Sequence, residues 1–144
     1  MFRSLFFSTL LLTFSFQVNA QTKYLDKVED TKKFSEGIAA SMATGNMPGA
    51  TKELRQLMIA SSADFDLFEA QLATQAGNFL AQIGSPKAYE FVRESKLGTF
   101  LIRHQLLVLH EKAPLRINLV FYKTDKGWVV THFNFDTNAL TYFQ

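Results

Sequence analysis

From Thr22 to Thr44, apolar or small residues recur at Tyr24, Val28, Thr31, Phe34, Ile38 and Met42, in steps of three and four. That spacing predicts a long amphipathic first helix over residues 22–44, its other face carrying Lys27, Asp30 and Lys33. The charged run DKVEDTKK reads as a solvated face with opposite charges a turn apart, such as Glu29 with Lys33. Gly45-Asn46 followed by Pro48 is the expected stop. A short second helix is predicted over 49–59, with Leu54, Leu57 and Met58 inward, and a third over 63–82 with Ser62 as its cap. The third has the stripe Phe65, Phe68, Leu72, Ala76, Phe79 and Ile83, and Asp64, Asp66 and Glu69 near its start, where negative charge complements the helix dipole. Gly84-Ser85-Pro86 ends it.

After Pro86 the pattern changes from helical spacing to alternation in β-rich composition. Strands are predicted over 87–95, 99–110, 115–123 and 128–136, the last two joined by the hairpin turn Thr124-Asp125-Lys126-Gly127. Helices first and strands after, with short connections, predict an α+β domain: N-terminal helices packed on a curved antiparallel sheet of about four strands. Leu140, Tyr142 and Phe143 suggest that the tail, Asn138 to Gln144, packs on the body.

The N-terminus alters the boundaries. Arg3, an apolar run from Leu5 to Phe16, and Val18 and Ala20 before Gln21 follow the order of a cleavable secretory signal peptide. The run is shorter than the roughly 20 residues needed to span a bilayer. The expected organisation is therefore a signal peptide at 1–20, cleaved after Ala20, and one domain at 21–144, exported to a bacterial periplasm or secreted without a membrane anchor. The chain has no cysteine, so neither a disulfide nor a lipid on cysteine is available to it. The formal net charge of +2 gives no global pull toward nucleic acid or an anionic membrane. Residues 87–126 hold eight cations and four acids, and residues 61–86 three acids and no cation, which makes the sheet mildly basic and the third helix acidic.

The order of three helices and a curled sheet, with the long first helix ending in a Gly-Asn turn and the segments FLAQIGSPKAYEFV and LRINLVFYKTDKGWVVTHFNFD, resembles secreted members of the nuclear transport factor 2-like superfamily. The resemblance covers nearly all of residues 21–144. It implies a cone-shaped α+β fold whose sheet and helices enclose a pocket, in a superfamily that ranges from isomerases and dehydratases to binding modules without catalysis. Several of its enzymes use an acid or histidine base with a tyrosine or second acid. No such motif maps onto this chain position by position, so the resemblance implies a scaffold and leaves the site open.

Few residues suggest chemistry. His104 and His110 share a strand face with Phe100, Ile102, Leu106 and Val108, but lie roughly 20 Å apart along the strand, too far to share a metal. No zinc spacing, glycine-rich phosphate loop, GxSxG elbow or cysteine nucleophile occurs, so neither metal nor cofactor is expected. His132 is expected on the side of Trp128, Val130 and Asn134, opposite Val129, Thr131, Phe133 and Phe135. There it is either a packed strand residue or a general base. His132, His104, Tyr122 and Asp136 are the catalytic candidates, and Arg103, Arg116, Asn118 and Trp128 the ligand-binding ones, since strand-borne donors suit an anionic or carbonyl-bearing ligand.

Two functions fit these residues. The favoured one is an exported, non-catalytic module that binds a small apolar ligand or a protein partner through its cone or sheet face. The alternative is a small isomerase- or dehydratase-like enzyme with a histidine or aspartate base in the cone. A homodimer through the open sheet face is compatible with either.

Overall fold

The computed structural model describes residues 22–143. The expected signal peptide at 1–20 lies outside the described residues. Three helices, α1 (Val28–Ala43), α2 (Met47–Leu57) and α3 (Ser62–Ile83), precede four strands, β1 (Pro86–Leu97), β2 (Leu101–His110), β3 (Pro114–Thr124) and β4 (Gly127–Asp136). A 3₁₀ turn at Ala139–Thr141 follows. The strands form one antiparallel meander in the order β1-β2-β3-β4, with the helices on one of its faces, so the α+β expectation holds.

The first helix starts six residues later than its periodicity predicts, because Leu25 is recruited by the sheet. Leu25 exchanges two backbone hydrogen bonds with Trp128, at 3.0 and 2.8 Å. Gly127 permits this approach: its φ is +130°, and a Cβ there would lie 2.7 Å from the Leu25 carbonyl oxygen. From Val28 onward α1 buries Thr31, Ser35, Ile38, Ala39 and Met42. Lys33 pairs with Asp30, at 3.1 Å, instead of with Glu29.

The Gly-Asn-x-Pro signal both stops α1 and starts α2. Gly45 takes a positive φ of 77°. Asn46 accepts a 3.0 Å bond from the Gly49 amide, and Pro48 sits in the first turn, where its missing N–H costs nothing. The second helix accordingly begins at Met47 and ends at Leu57, leaving Met58 and Ile59 extended beside Val130. The α3 cap is Ser61, whose hydroxyl accepts from the Asp64 amide.

Most of α3 is exposed. It buries Phe65, Leu72 and Ile83, and is held to the sheet through edge-on rings: Phe68 against Phe133 at 6.1 Å and Phe79 against Phe135 at 5.2 Å. Its acidic start faces α2, where Arg55 binds both Asp66 and Glu69.

On the sheet, Ile102, Leu106, Val108, Ile117, Leu119, Phe121, Phe133 and Phe135 form the buried wall under the helices. Phe100, expected in β2, stands in the turn before it and is 59% exposed. Three register shifts interrupt the ladders, two in β1, between Pro86 and Ala88 and between Phe91 and Arg93, and one where β3 passes from Val120 to Phe121. The last is a bulge in β4: Val120 pairs with His132 and Phe121 with Val130, so Thr131 is the extra residue. Val130 and Phe133 therefore both face inward, and simple alternation fails at this point.

Candidate functional site

Among the places where the described residues bring polar or cavity-forming groups together, three hold the histidines. The first lies in the core. His104, fully buried, meets Ser35 of α1 through Nδ1 at 2.8 Å and Glu94 of β1 through Nε2 at 3.0 Å. An ionised carboxylate only accepts, so Nε2 carries the proton and donates to Glu94, while Nδ1 accepts from the Ser35 hydroxyl. Phe91 and Phe121 close around the imidazole at 5.2 and 5.3 Å. Burial holds the His104 pKa below the usual histidine range, against the pull of Glu94. Burial also pushes the Glu94 carboxyl up, but hydrogen bonds from His104 and Lys96 outweigh it and leave the carboxyl below its ordinary value.

This hydroxyl, imidazole and carboxylate order is that of an activated nucleophile. Ser35 and His104 are both 0% exposed, however, and neither lines either of the other two places. The chain of bonds ties α1 to β1 and β2.

The second place is an apolar cavity of about 40 Å³ between the α1–α2 junction, α3 and one end of the sheet. Met42, Met47, Phe79, Leu115 and Phe135 line it, with His110 at its wall. The His110 Nδ1–H donates to the Gly84 carbonyl at 2.7 Å. Since a water needs about 10–15 Å³ of such space, the cavity has room for a few waters and is too small for an organic ligand. Large rings fill the interior instead.

The third place is a hollow of about 390 Å³ on the face of the sheet turned away from the helices. Register builds it from two full rungs across β2, β3 and β4, Arg103, Val120 and His132 and then Gln105, Asn118 and Asn134, with Arg116 of the next rung and Thr141 at its margin. Arg116 is engaged, donating to Asp136 at 2.9 and 3.1 Å and to both the carbonyl and hydroxyl oxygens of Thr141. Gln105 accepts from Arg93 at 3.0 Å, and Asn118 donates to Asn134 at 3.0 Å. Arg103 is exposed, and its guanidinium has no hydrogen-bond or ion-pair partner among the described residues.

No protein-family model matches the chain, and no curated protein matches it significantly. Solved structures do. One from Campylobacter jejuni, described as an NTF2-like transpeptidase, is 15% identical and covers 72% of this chain and 98% of its own, with a TM-score of 0.52. A DUF4783 family protein from Bacteroides uniformis is 18% identical over 72% of this chain and 95% of its own, at a TM-score of 0.47. An NTF-2-like protein of unknown function from Shewanella oneidensis is 13% identical over 74% and 96%, at 0.44. The chain has the nuclear transport factor 2-like fold.

Within this nuclear transport factor 2-like fold, the sequence candidates separate into distinct environments. Arg103, Arg116, Asn118 and His132 come together in the outer hollow, with Asp136 adjacent as the ion partner of Arg116. Tyr122 is on the same face, one rung beyond, beside Leu101 and Val129. His104 is in the core. Trp128 is 5% exposed and packed inward at the Leu25 bridge, so it joins no other ligand-binding candidate. His132 does not share the side of Trp128 and Val130, as alternation predicts, because the bulge at Thr131 rotates it to the outer face.

Gln105 and Asn134 complete the hollow of this nuclear transport factor 2-like sheet and carry a sequence signal, since each stands two residues from a candidate on the same strand. Ser35 and Glu94 carry none: they reach His104 through a helix–sheet contact and a strand register that local spacing does not specify. Among the described residues no group of three or more metal-ligating side chains assembles. No described helix is long and apolar enough to cross a membrane.

Proposed function

We propose that this chain is an exported, non-catalytic binding module that meets its ligand on the outer face of the sheet. The observation that carries the reading is the contrast in volume and lining. The interior retains about 40 Å³ beside apolar rings, whereas the outer face offers about 390 Å³ lined by arginine, amide and imidazole groups. The latter is within the usual few-hundred-Å³ range of small-molecule clefts. Export rests on the residue pattern of 1–20. A second copy is the competing occupant of this face, but a symmetric stack would bring together two faces that each carry the Arg103 charge, with no acid among the residues lining the hollow.

The test is a ¹H–¹⁵N spectrum of the purified protein with and without a small-molecule extract of its native compartment. The expected shifts fall on residues 103, 105, 118 and 134. Shifts confined to 42, 47, 79 and 115 would place the ligand in the interior and sink the outer-face reading. The enzymatic reading draws on the Ser35–His104–Glu94 chain, and it requires that interior to open to substrate. Turnover lost on His104→Gln with an unchanged amide spectrum would establish it.

A further inference from the structure

We infer that the outer hollow is a site for a small organic monocarboxylate, with Arg103 as its anion-binding residue; this rests on the outer-face reading and names its ligand class. Arg103 lines the hollow without a hydrogen-bonding or ionic partner among the described residues, while the neighbouring Arg116 is neutralised by Asp136. The hollow therefore presents one uncompensated guanidinium charge, which matches a single carboxylate better than a dianion. A guanidinium offers the parallel N–H pair that a carboxylate accepts.

The side-chain amides add directed donors. Arg93 only donates, so its bond fixes the Gln105 carbonyl toward Arg93 and leaves the NH₂ group of this lining residue outside that bond. The Asn118–Asn134 pair uses one NH₂ group and one carbonyl, so whichever way the pair is turned, one amide keeps its NH₂ group outside that bond. Among the described residues no carboxylate lines the hollow to compete for these donors. Val120, between Arg103 and His132 on its rung, supplies an apolar floor for the body of the ligand. Shape and polarity thus fit an anionic head on a compact organic body, and a bare ion would leave most of the volume to water.

The experiment titrates the full purified chain with benzoate, with its neutral analogue benzamide, and with inorganic phosphate, following amide and side-chain NH₂ signals. Benzoate is expected to shift Arg103, Gln105 and Asn134 saturably, with binding at least about tenfold weaker in Arg103→Gln and partly kept in Arg103→Lys, which retains the charge but not the fork. The amide spectra of both variants should remain those of the folded protein, since Arg103 is exposed. Equal shifts from benzamide, or no loss in Arg103→Gln, would overturn the role of the charge. Phosphate binding as tight as benzoate would overturn the carboxylate class. If no carboxylate binds while the compartment extract still shifts residues 103, 105, 118 and 134, the ligand class is wrong and the outer-face reading stands. If the extract also leaves them unmoved, both fail.

Discussion

The imidazole of His104 donates to Glu94 directly across the β1–β2 ladder, at 3.0 Å, while its other nitrogen accepts from Ser35 of the first helix. A fully buried histidine is thereby given a fixed tautomer and two partners on different elements. Its surroundings also hold two charges on α1, Lys32 and Glu36, whose influences on it oppose each other.

This arrangement makes stability pH-dependent with a definite sign. The folded pKa of His104 lies below its ordinary 6.5, so the unfolded chain takes up this proton first, and the contribution of the neutral imidazole is present above about pH 6.5 and lost as pH falls below it. Glu94 adds a second loss below its ordinary 4.5, since its folded pKa is also lowered. Urea midpoints measured from pH 8 to 4 should fall with acidification, and His104→Gln should flatten the leg just below pH 6.5 while costing about 1–3 kcal/mol at pH 8 through the unsatisfied Ser35. A flat wild-type profile between pH 7 and 5 would contradict the assignment.

Gly127→Ala should destabilise the protein by about 2 kcal/mol or more, because it combines a strained positive φ with a Cβ placed 2.7 Å from the Leu25 oxygen. Hydrogen exchange should show the Leu25 amide losing protection first. A variant within about 0.5 kcal/mol of wild type, by the ordinary scatter of surface substitutions, would mean that the bridge contributes nothing.

The α3 helix should open before the sheet does. Its attachment depends on a few rings, and native-state hydrogen exchange should place its amides among the less protected of the regular elements. Phe135→Ala removes the partner of Phe79 and should cost about 3–5 kcal/mol. Exchange from α3 and the sheet at equal free energies would show instead that they unfold as one unit.

Arg116 should act as the clasp of the C-terminal turn. It binds Asp136 and Thr141, and the Tyr142 hydroxyl donates to the Pro114 and Asp136 carbonyls at 2.9 and 3.0 Å. Tyr142 packs as the tail's composition suggests, whereas Leu140 and Phe143 are 88% and 93% exposed. Arg116→Ala should speed proteolysis after residue 137 several-fold with the sheet intact, at a cost of about 1–3 kcal/mol. Unchanged cleavage would show that Tyr142 alone holds the turn.

The helix stripes and strand alternation were legible because each periodicity is a local consequence of which face is buried. The apolar sides of α1 and α3, the β3–β4 hairpin and the inward side of His104 all come from it. So did the grouping of Arg103, Arg116 and Asn118, which needs only neighbouring strands and a period of two. The late start of α1 was not legible, since residues 22–27 satisfy a helical pattern but Leu25 gains backbone partners from a strand about a hundred residues away. Nor was the outward turn of His132, because a one-residue bulge at Thr131 reverses the facing of the residues after it while leaving composition unchanged.

The amino-acid order by itself determined the class of fold, the place of each element to within a few residues and the strand faces outside the bulges. Tertiary structure alone decided that His104 meets Ser35 and Glu94, that the interior is filled, and that Arg103 stands over an open hollow unpaired among the described residues. Those outcomes depend on distance, register and packing between segments far apart in the chain, and local periodicity contains no information about them.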